Sequence, residues 1–173
     1  MLDHATLAQR VKAVALLEGD FTLRSGKKSK FYFDKYLFET QPDILETMGA
    51  EIAKRIPPGV SRIAAPELGA VALGAAASLA SRLPFFIVRN ARKDYGTAKQ
   101  VEGKVDAGDT VVLVEDIITS GGQVLEAAKL LTAMNVKIAK VIVALDRQEG
   151  GREAIEAAGY KVESILTKGD LGM

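Results

Sequence analysis

The stretch Val111-Val-Leu-Val-Glu-Asp-Ile-Ile-Thr-Ser-Gly-Gly-Gln123 decides how this chain is to be read. With Thr110 it opens as an unbroken hydrophobic, largely β-branched run, the pattern of a strand buried on both faces. Two carboxylates, Glu115 and Asp116, follow at the expected strand end. Ile117, Ile118, Thr119, Ser120, Gly121 and Gly122 then form a short loop, which opens into a helix predicted over Gly122 to Met134. Backbone N–H groups at a helix start are unpaired, and the helix dipole favours negative charge there. Glycines let the backbone approach an anion closely, and the Thr119 and Ser120 hydroxyls add donors. The segment therefore reads as a phosphate cradle at the carboxyl end of a parallel strand, where open α/β sheets bind ligands.

Working outward, strands and helices alternate. Short buried strands are predicted at Arg62 to Ala65, Phe85 to Val88, Val141 to Leu145 and Val162 to Leu166, with helices at Gly69 to Ser81 and Arg152 to Ala158. This order predicts a mainly parallel α/β sheet with helices on both faces. Upstream, Leu7, Val11, Val14 and Leu17 mark a helix over Leu2 to Leu17. Phe21 to Phe33 reads as a hairpin with Ser25-Gly26 at its turn, and Pro42 to Arg55 as a helix striped by Ile44, Leu45, Met48 and Ile52. Arg89 to Lys104 has no apolar periodicity and is longer than an ordinary connection, so it reads as a functional loop or a solvated surface.

The length, 173 residues, suits one domain without staples. No cysteine is present, which removes disulfides, thiolate zinc sites and a cysteine nucleophile; the single histidine, His4, argues against a Ser-His-Asp triad. The N-terminus lacks the features of a signal peptide, and no run approaches the ~20 apolar residues of a membrane span, so a cytoplasmic protein is expected.

Lys and Arg total 23 against 22 Asp and Glu, too neutral for a protein that coats nucleic acid. The balance is nonetheless segregated. Arg24, Lys27, Lys28, Lys30 and Lys35 face one acid, Asp34, within 24–35. The loop 89–104 holds Arg89, Arg92, Lys93, Lys99 and Lys104 against Asp94 and Glu102. Segment 105–128 carries acids and no Lys or Arg. Carboxylates beside a phosphate cradle repel the phosphate, so Glu115 and Asp116 should address ribose hydroxyls or a Mg2+ ion. No Lys follows the glycines and no G-x-G-x-x-G is present, which excludes a Walker A loop and a dinucleotide fingerprint. The plain alternative is an N-capped helix preceded by two surface acids.

The segment resembles the phosphoribosyl-pyrophosphate (PRPP) motif of type I phosphoribosyltransferases. Further segments narrow the resemblance to the orotate phosphoribosyltransferase family. Phe21 to Asp34 (FTLRSGKKSKFYFD) resembles the N-terminal hairpin that closes over the base. Arg89 to Gly103 (RNARKDYGTAKQVEG) resembles the mobile basic loop, and Ala144 to Gly151 (ALDRQEGG) the strand end bearing a base-binding Arg. The implied architecture is one phosphoribosyltransferase domain over 1–173, with hood elements in 1–40 and a mobile loop at 89–104.

The resemblance also implies roles. Glu115 and Asp116 contact the ribose 2′ and 3′ hydroxyls, with Mg2+ nearby, carried by PRPP. Thr119 to Gln123, entered through Ile117 and Ile118, binds the 5-phosphate. Thr119 and Arg147 meet orotate, and Tyr32 and Phe33 line the base pocket; ordinary strand packing is the other reading of those two aromatics. For Arg147 the other reading is an ion pair with Asp146 or Glu149. Arg24 stands near base and PRPP, Arg89 and Lys93 grip pyrophosphate, and Tyr95 lies in the same loop. Lys93 and Asp116 are the implied catalytic residues. Glu67, Leu68 and Gly69 form a pyrophosphate turn that contributes mainly backbone. Asn90 stands where a Lys is common, Tyr95 where many members have His, and Leu68 where some members carry Lys. The implied reaction joins orotate to PRPP in a homodimer whose loops reach the neighbouring site. Another nucleobase phosphoribosyltransferase and a PRPP-sensing regulator remain as alternatives.

Overall fold

A computed structural model describes residues 1–22, 26, 28–89 and 100–173. Arg24, Asn90, Lys93 and Tyr95 lie outside the described residues. The chain opens with helix α1 (His4–Ala15), capped by the Asp3 side chain, which accepts from the Thr6 N–H. Antiparallel strands β1 (Leu16–Thr22) and β2 (Lys28–Phe33) form a separate hairpin. Helices α2 (Lys35–Glu39) and α3 (Pro42–Arg55) lead to β3 (Arg62–Pro66), α4 (Gly69–Ser81), β4 (Phe85–Val88) and β5 (Val101–Glu102). Then come β6 (Thr110–Ile118), α5 (Gly122–Ala133), β7 (Lys137–Asp146), α6 (Gly151–Ala157) and β8 (Val162–Thr167).

The six-stranded sheet has the order β5-β4-β3-β6-β7-β8 and is parallel except for the β4–β5 pair. From β3 the chain runs outward through β4 and β5, then returns to lay β6 on the other side of β3. The strand order therefore reverses between β3 and β6, which opens a crevice at their carboxyl ends. Alternation assigns the faces. Ile63, Ala65, Val112, Val114, Ile142 and Ala144 join the core under α1, α3 and α4, while Ala64, Val111, Leu113, Val141 and Val143 join the core under α5 and α6. Each Val or Ile sealed there contributes about 1.5–3 kcal/mol of transfer free energy. Small residues set the layer spacing: a methyl on Gly74 would come 2.7 Å from the Ala65 Cβ, so α4 lies tightly on β3.

Several elements differ from the sequence expectation; among them, β7 begins at Lys137, four residues before the expected Val141. Helix α1 stops at Ala15, because Leu16 and Leu17 pair with Phe33 and Tyr32 in the hairpin rather than extend the helical stripe. Strand β6 runs through Ile118, so Glu115 and Asp116 are strand residues rather than a strand end. The segment 89–104 contains a strand: Val101 and Glu102 pair with Val88 and Ile87. Helix α2 was not expected; it is one short turn that the Asp34 side chain starts by accepting from the Tyr36 N–H.

Candidate active site

The crevice between β3 and β6 receives two loops. After β3 the chain turns through Glu67, Leu68 and Gly69 into α4, with a cis peptide at Glu67–Leu68. After β6 it passes Thr119 and Ser120 to Gly121, whose φ of 78° only glycine adopts at little cost, and enters α5. The Gln123 side-chain amide donates to the Glu67 carbonyl at 3.2 Å, joining the two loops across the crevice. A third loop supports the cradle from behind. A methyl on Gly151 would collide with the Thr119 carbonyl and come 2.9 Å from the Gly121 nitrogen, so the 119–121 backbone packs directly on the start of α6.

Glu115 and Asp116 alternate across β6, and each is only 2% exposed. Asp116 Oδ2 accepts from Lys35 Nζ at 2.5 Å, and its Oδ1 accepts from the Ile117 N–H at 2.5 Å. A methyl on Gly69 would overlap the Asp116 carboxylate and come 2.8 Å from Lys35 Nζ. Burial, then the adjacent Asp116 charge, raises the Glu115 carboxyl well above the usual range, and its Oε2 has no hydrogen-bond partner. Glu39 on α2 is a third buried acid. Burial first, then the Asp116 charge, pushes its carboxyl up to about 8, and its Oε1 has no partner. Burial alone would lower the Lys35 ammonium, but its bond to Asp116 and the surrounding negative charge raise it on balance.

Arg89, at the end of β4, stands between the Glu67 carboxylate at 3.9 Å and the Glu102 carboxylate at 3.7 Å. This aims it at the 67–69 turn. Arg147 follows β7; its N–H donates to the Ile118 carbonyl at 3.0 Å, which fixes it beside the end of β6. Its guanidinium pairs with Glu149 at 3.0 Å, while its buried Nε has no partner. Asp146 pairs instead with Arg152 at 3.1 Å. Arg152 also donates to the Val162 carbonyl and Ser164 Oγ, clamping β7 to β8.

The hairpin brings one aromatic toward Arg147. Phe31 lines a cleft of about 460 Å3 with Arg147, Lys168, Lys12, Leu16 and Glu18. Tyr32 projects from the other face of β2 and packs on Phe21 at 5.5 Å between ring centroids. Phe33 turns into the core, 6.1 Å from Phe38. The site thus unites Glu67, Leu68, Gly69, Glu115, Asp116, the 119–123 loop, Arg89 and Arg147, and leaves Tyr32 and Phe33 in packing positions. Sequence reasoning missed Phe31 and Glu39 and gave Lys35 no role. Alternation from Phe33 pointed to Phe31, but no local signal marks a lysine whose partner lies on β6.

A glycine-containing loop opens a helix beside a buried acid pair at the switch point of a parallel sheet, and the phosphoribosyl transferase domain family model matches residues 49–168, so the chain belongs to the phosphoribosyltransferases. Within that class, the chain belongs to the orotate phosphoribosyltransferases. It is 44% identical over 153 residues to the orotate phosphoribosyltransferase of Methanocella arvoryzae, covering 88% of this chain and 87% of that one. Among solved structures it matches Mycobacterium tuberculosis H37Rv orotate phosphoribosyltransferase in complex with Fe(III) dicitrate. The TM-score is 0.88 at 29% identity, over 99% of this chain and all of that one. The same enzyme in complex with PRPP matches with a TM-score of 0.83 at 28% identity, covering 99% of this chain and 100% of that chain.

Proposed function

We propose that this chain transfers the phosphoribosyl group of PRPP to orotate, giving orotidine 5′-monophosphate and pyrophosphate. The observation that carries the reading is the crevice itself: a backbone cradle at 119–122, the Asp116 carboxylate beside it, and the 67–69 turn opposite, joined by Gln123. The cradle suits the 5-phosphate, the carboxylate the ribose hydroxyls, and the turn the pyrophosphate. Arg147 would meet the orotate carboxylate with a planar fork that lysine cannot reproduce, after exchanging Glu149 for the substrate.

Departure of pyrophosphate builds positive charge on the ribose and negative charge on the leaving group. Buried carboxylate beside the ribose and cations at the turn oppose both charges. Arg89 supplies one such cation, and by resemblance Lys93 supplies another and donates a proton to the leaving oxygen. The unpartnered Oε2 of Glu115 and the neighbouring Asp116 fit a Mg2+ ion carried in on PRPP. Such an ion would neutralise pyrophosphate charge.

A homodimer in which loop 89–104 reaches the neighbouring site is part of the proposal. Its support is an apolar groove of about 650 Å3 between α3 and α4, where Leu45, Ala72, Ala76 and the exposed Leu79 stand together. No described helix is long and apolar enough to cross a membrane. A cytoplasmic place is favoured by the substrate, a polyanion that does not cross membranes unaided. Chelating Mg2+ should abolish turnover, and Lys93→Ala should lower kcat by about two orders of magnitude or more with the melting temperature unchanged. Full turnover in chelator, or an unchanged kcat, would remove the ion or Lys93 from the mechanism.

A further inference from the structure

The pyrophosphate turn carries no basic side chain of its own: its residues are Glu67, Leu68 and Gly69. Leu68 is 68% exposed, so nothing from position 68 fills the crevice. Besides Arg89, a second described cation reaches this point, from far away in sequence. Lys35, the first residue of α2, is held by the Asp34 cap, and its Nζ lies 2.5 Å from Asp116 Oδ2. It also lies 2.8 Å from where a methyl on Gly69 would sit, so ammonium, carboxylate and the first residue of α4 meet at one place. Two more buried carboxyls, Glu39 and Glu115, lie close to the pair, each with one oxygen lacking a hydrogen-bond partner. An ammonium so placed is retained at the crevice rather than released to solvent.

We propose that Lys35 is a further pyrophosphate-binding cation at the 67–69 turn, beside Arg89, supplying from α2 the charge that position 68 lacks. In the free protein it is paired with Asp116. When PRPP binds, the ribose hydroxyls take up the Asp116 carboxylate, and the ammonium turns to the pyrophosphate oxygens over the Gly69 backbone. This rests on the assignment of the crevice as a PRPP site.

Titration calorimetry with pyrophosphate in the absence of Mg2+, and separately with orotidine 5′-monophosphate, tests it. Metal-free pyrophosphate brings neither ribose hydroxyls nor a cation to Asp116, so a lysine that merely positions Asp116 leaves its affinity unchanged. Lys35→Gln keeps a donor for Asp116 and removes the charge. It should weaken pyrophosphate at least tenfold and orotidine 5′-monophosphate less than threefold. Lys35→Arg, which keeps the charge, should retain affinity within a few fold and guards against a folding defect in the neutral variant. Leu68→Lys in the Lys35→Gln background should recover most of the loss. Unchanged pyrophosphate affinity in Lys35→Gln, or equal losses for both ligands, overturns the assignment of Lys35. Wild-type protein that binds neither ligand overturns the PRPP-site reading itself.

Discussion

Gly69→Ala probes the tightest point of the site. Gly69 is the first residue of α4, and its φ is not in the left-handed region, so alanine imposes no backbone strain there. The added methyl nevertheless occupies the space of Asp116 Oδ2. Asp116 is buried on a central strand, and its short side chain can leave that space only by rotating. Rotation breaks the bond from Lys35 and the bond from the Ile117 N–H, both 2.5 Å. Hydrogen bonds to charged groups are worth about 1.5–3 kcal/mol each, and breaking a buried pair costs about 3–5 kcal/mol. Alanine returns at most about 1 kcal/mol of helix propensity. The net destabilisation is about 2–4 kcal/mol, a fall of roughly 5–15 °C in melting temperature for a chain of this size. Because Asp116 no longer faces the ribose, kcat/KM for PRPP should fall by about 30- to 1,000-fold. Thermal melting and initial rates at saturating orotate read both effects. A variant that melts within 2 °C of wild type and keeps kcat/KM within about threefold would refute the placement of Asp116 against Gly69.

Arg147→Ala should raise KM for orotate by about 10- to 100-fold and leave KM for PRPP nearly unchanged, since one charge-assisted contact to the base is lost; steady-state kinetics with each substrate varied separates the two. Gly151→Ala should weaken orotidine 5′-monophosphate binding by about tenfold or more, because its methyl pushes on the Thr119 carbonyl and distorts the phosphate loop; calorimetry measures it. Glu39 has its carboxyl pushed from 4.5 up to about 8, so the native protein holds a proton there that the unfolded chain loses. Its contribution to stability is full below about pH 4.5 and is lost as pH rises through about 8. Glu39→Gln should therefore match wild type near pH 4.5 and be more stable by about 2 kcal/mol near pH 9, after a discount for solvent screening; urea unfolding across that range checks the sign.

The sheet was legible because β-branched runs such as Val111 to Val114 have few other uses, and because small-residue and striped helices alternate with them. The loop into α5 was legible for a chemical reason, since Thr119 to Gly122 combines hydroxyls and glycines at a helix start; the phosphate it would hold belongs to the proposed function. The errors share a cause. Glu115 and Asp116 read as a strand end because hydropathy treats acids as exposed, whereas a lysine on α2 and the surrounding fold bury them. Leu16 and Leu17 continue a helical stripe on paper, and only their pairing with Phe33 and Tyr32 recruits them to a strand. Val101-Glu102 is too short to announce a strand without β4 beside it. Which aromatic of the hairpin meets Arg147 is likewise a matter of tertiary docking: Tyr32 lies on the opposite face of β2 from Phe31, and Phe33, on the same face as Phe31, packs on Phe38.

The central claim is the reaction, and orotate absorbance follows it directly. Purified protein should consume orotate only when PRPP and Mg2+ are both present, and should leave uracil, adenine and hypoxanthine untouched under the same conditions. No loss of orotate absorbance, or equal consumption of any of the three other bases, would contradict the account.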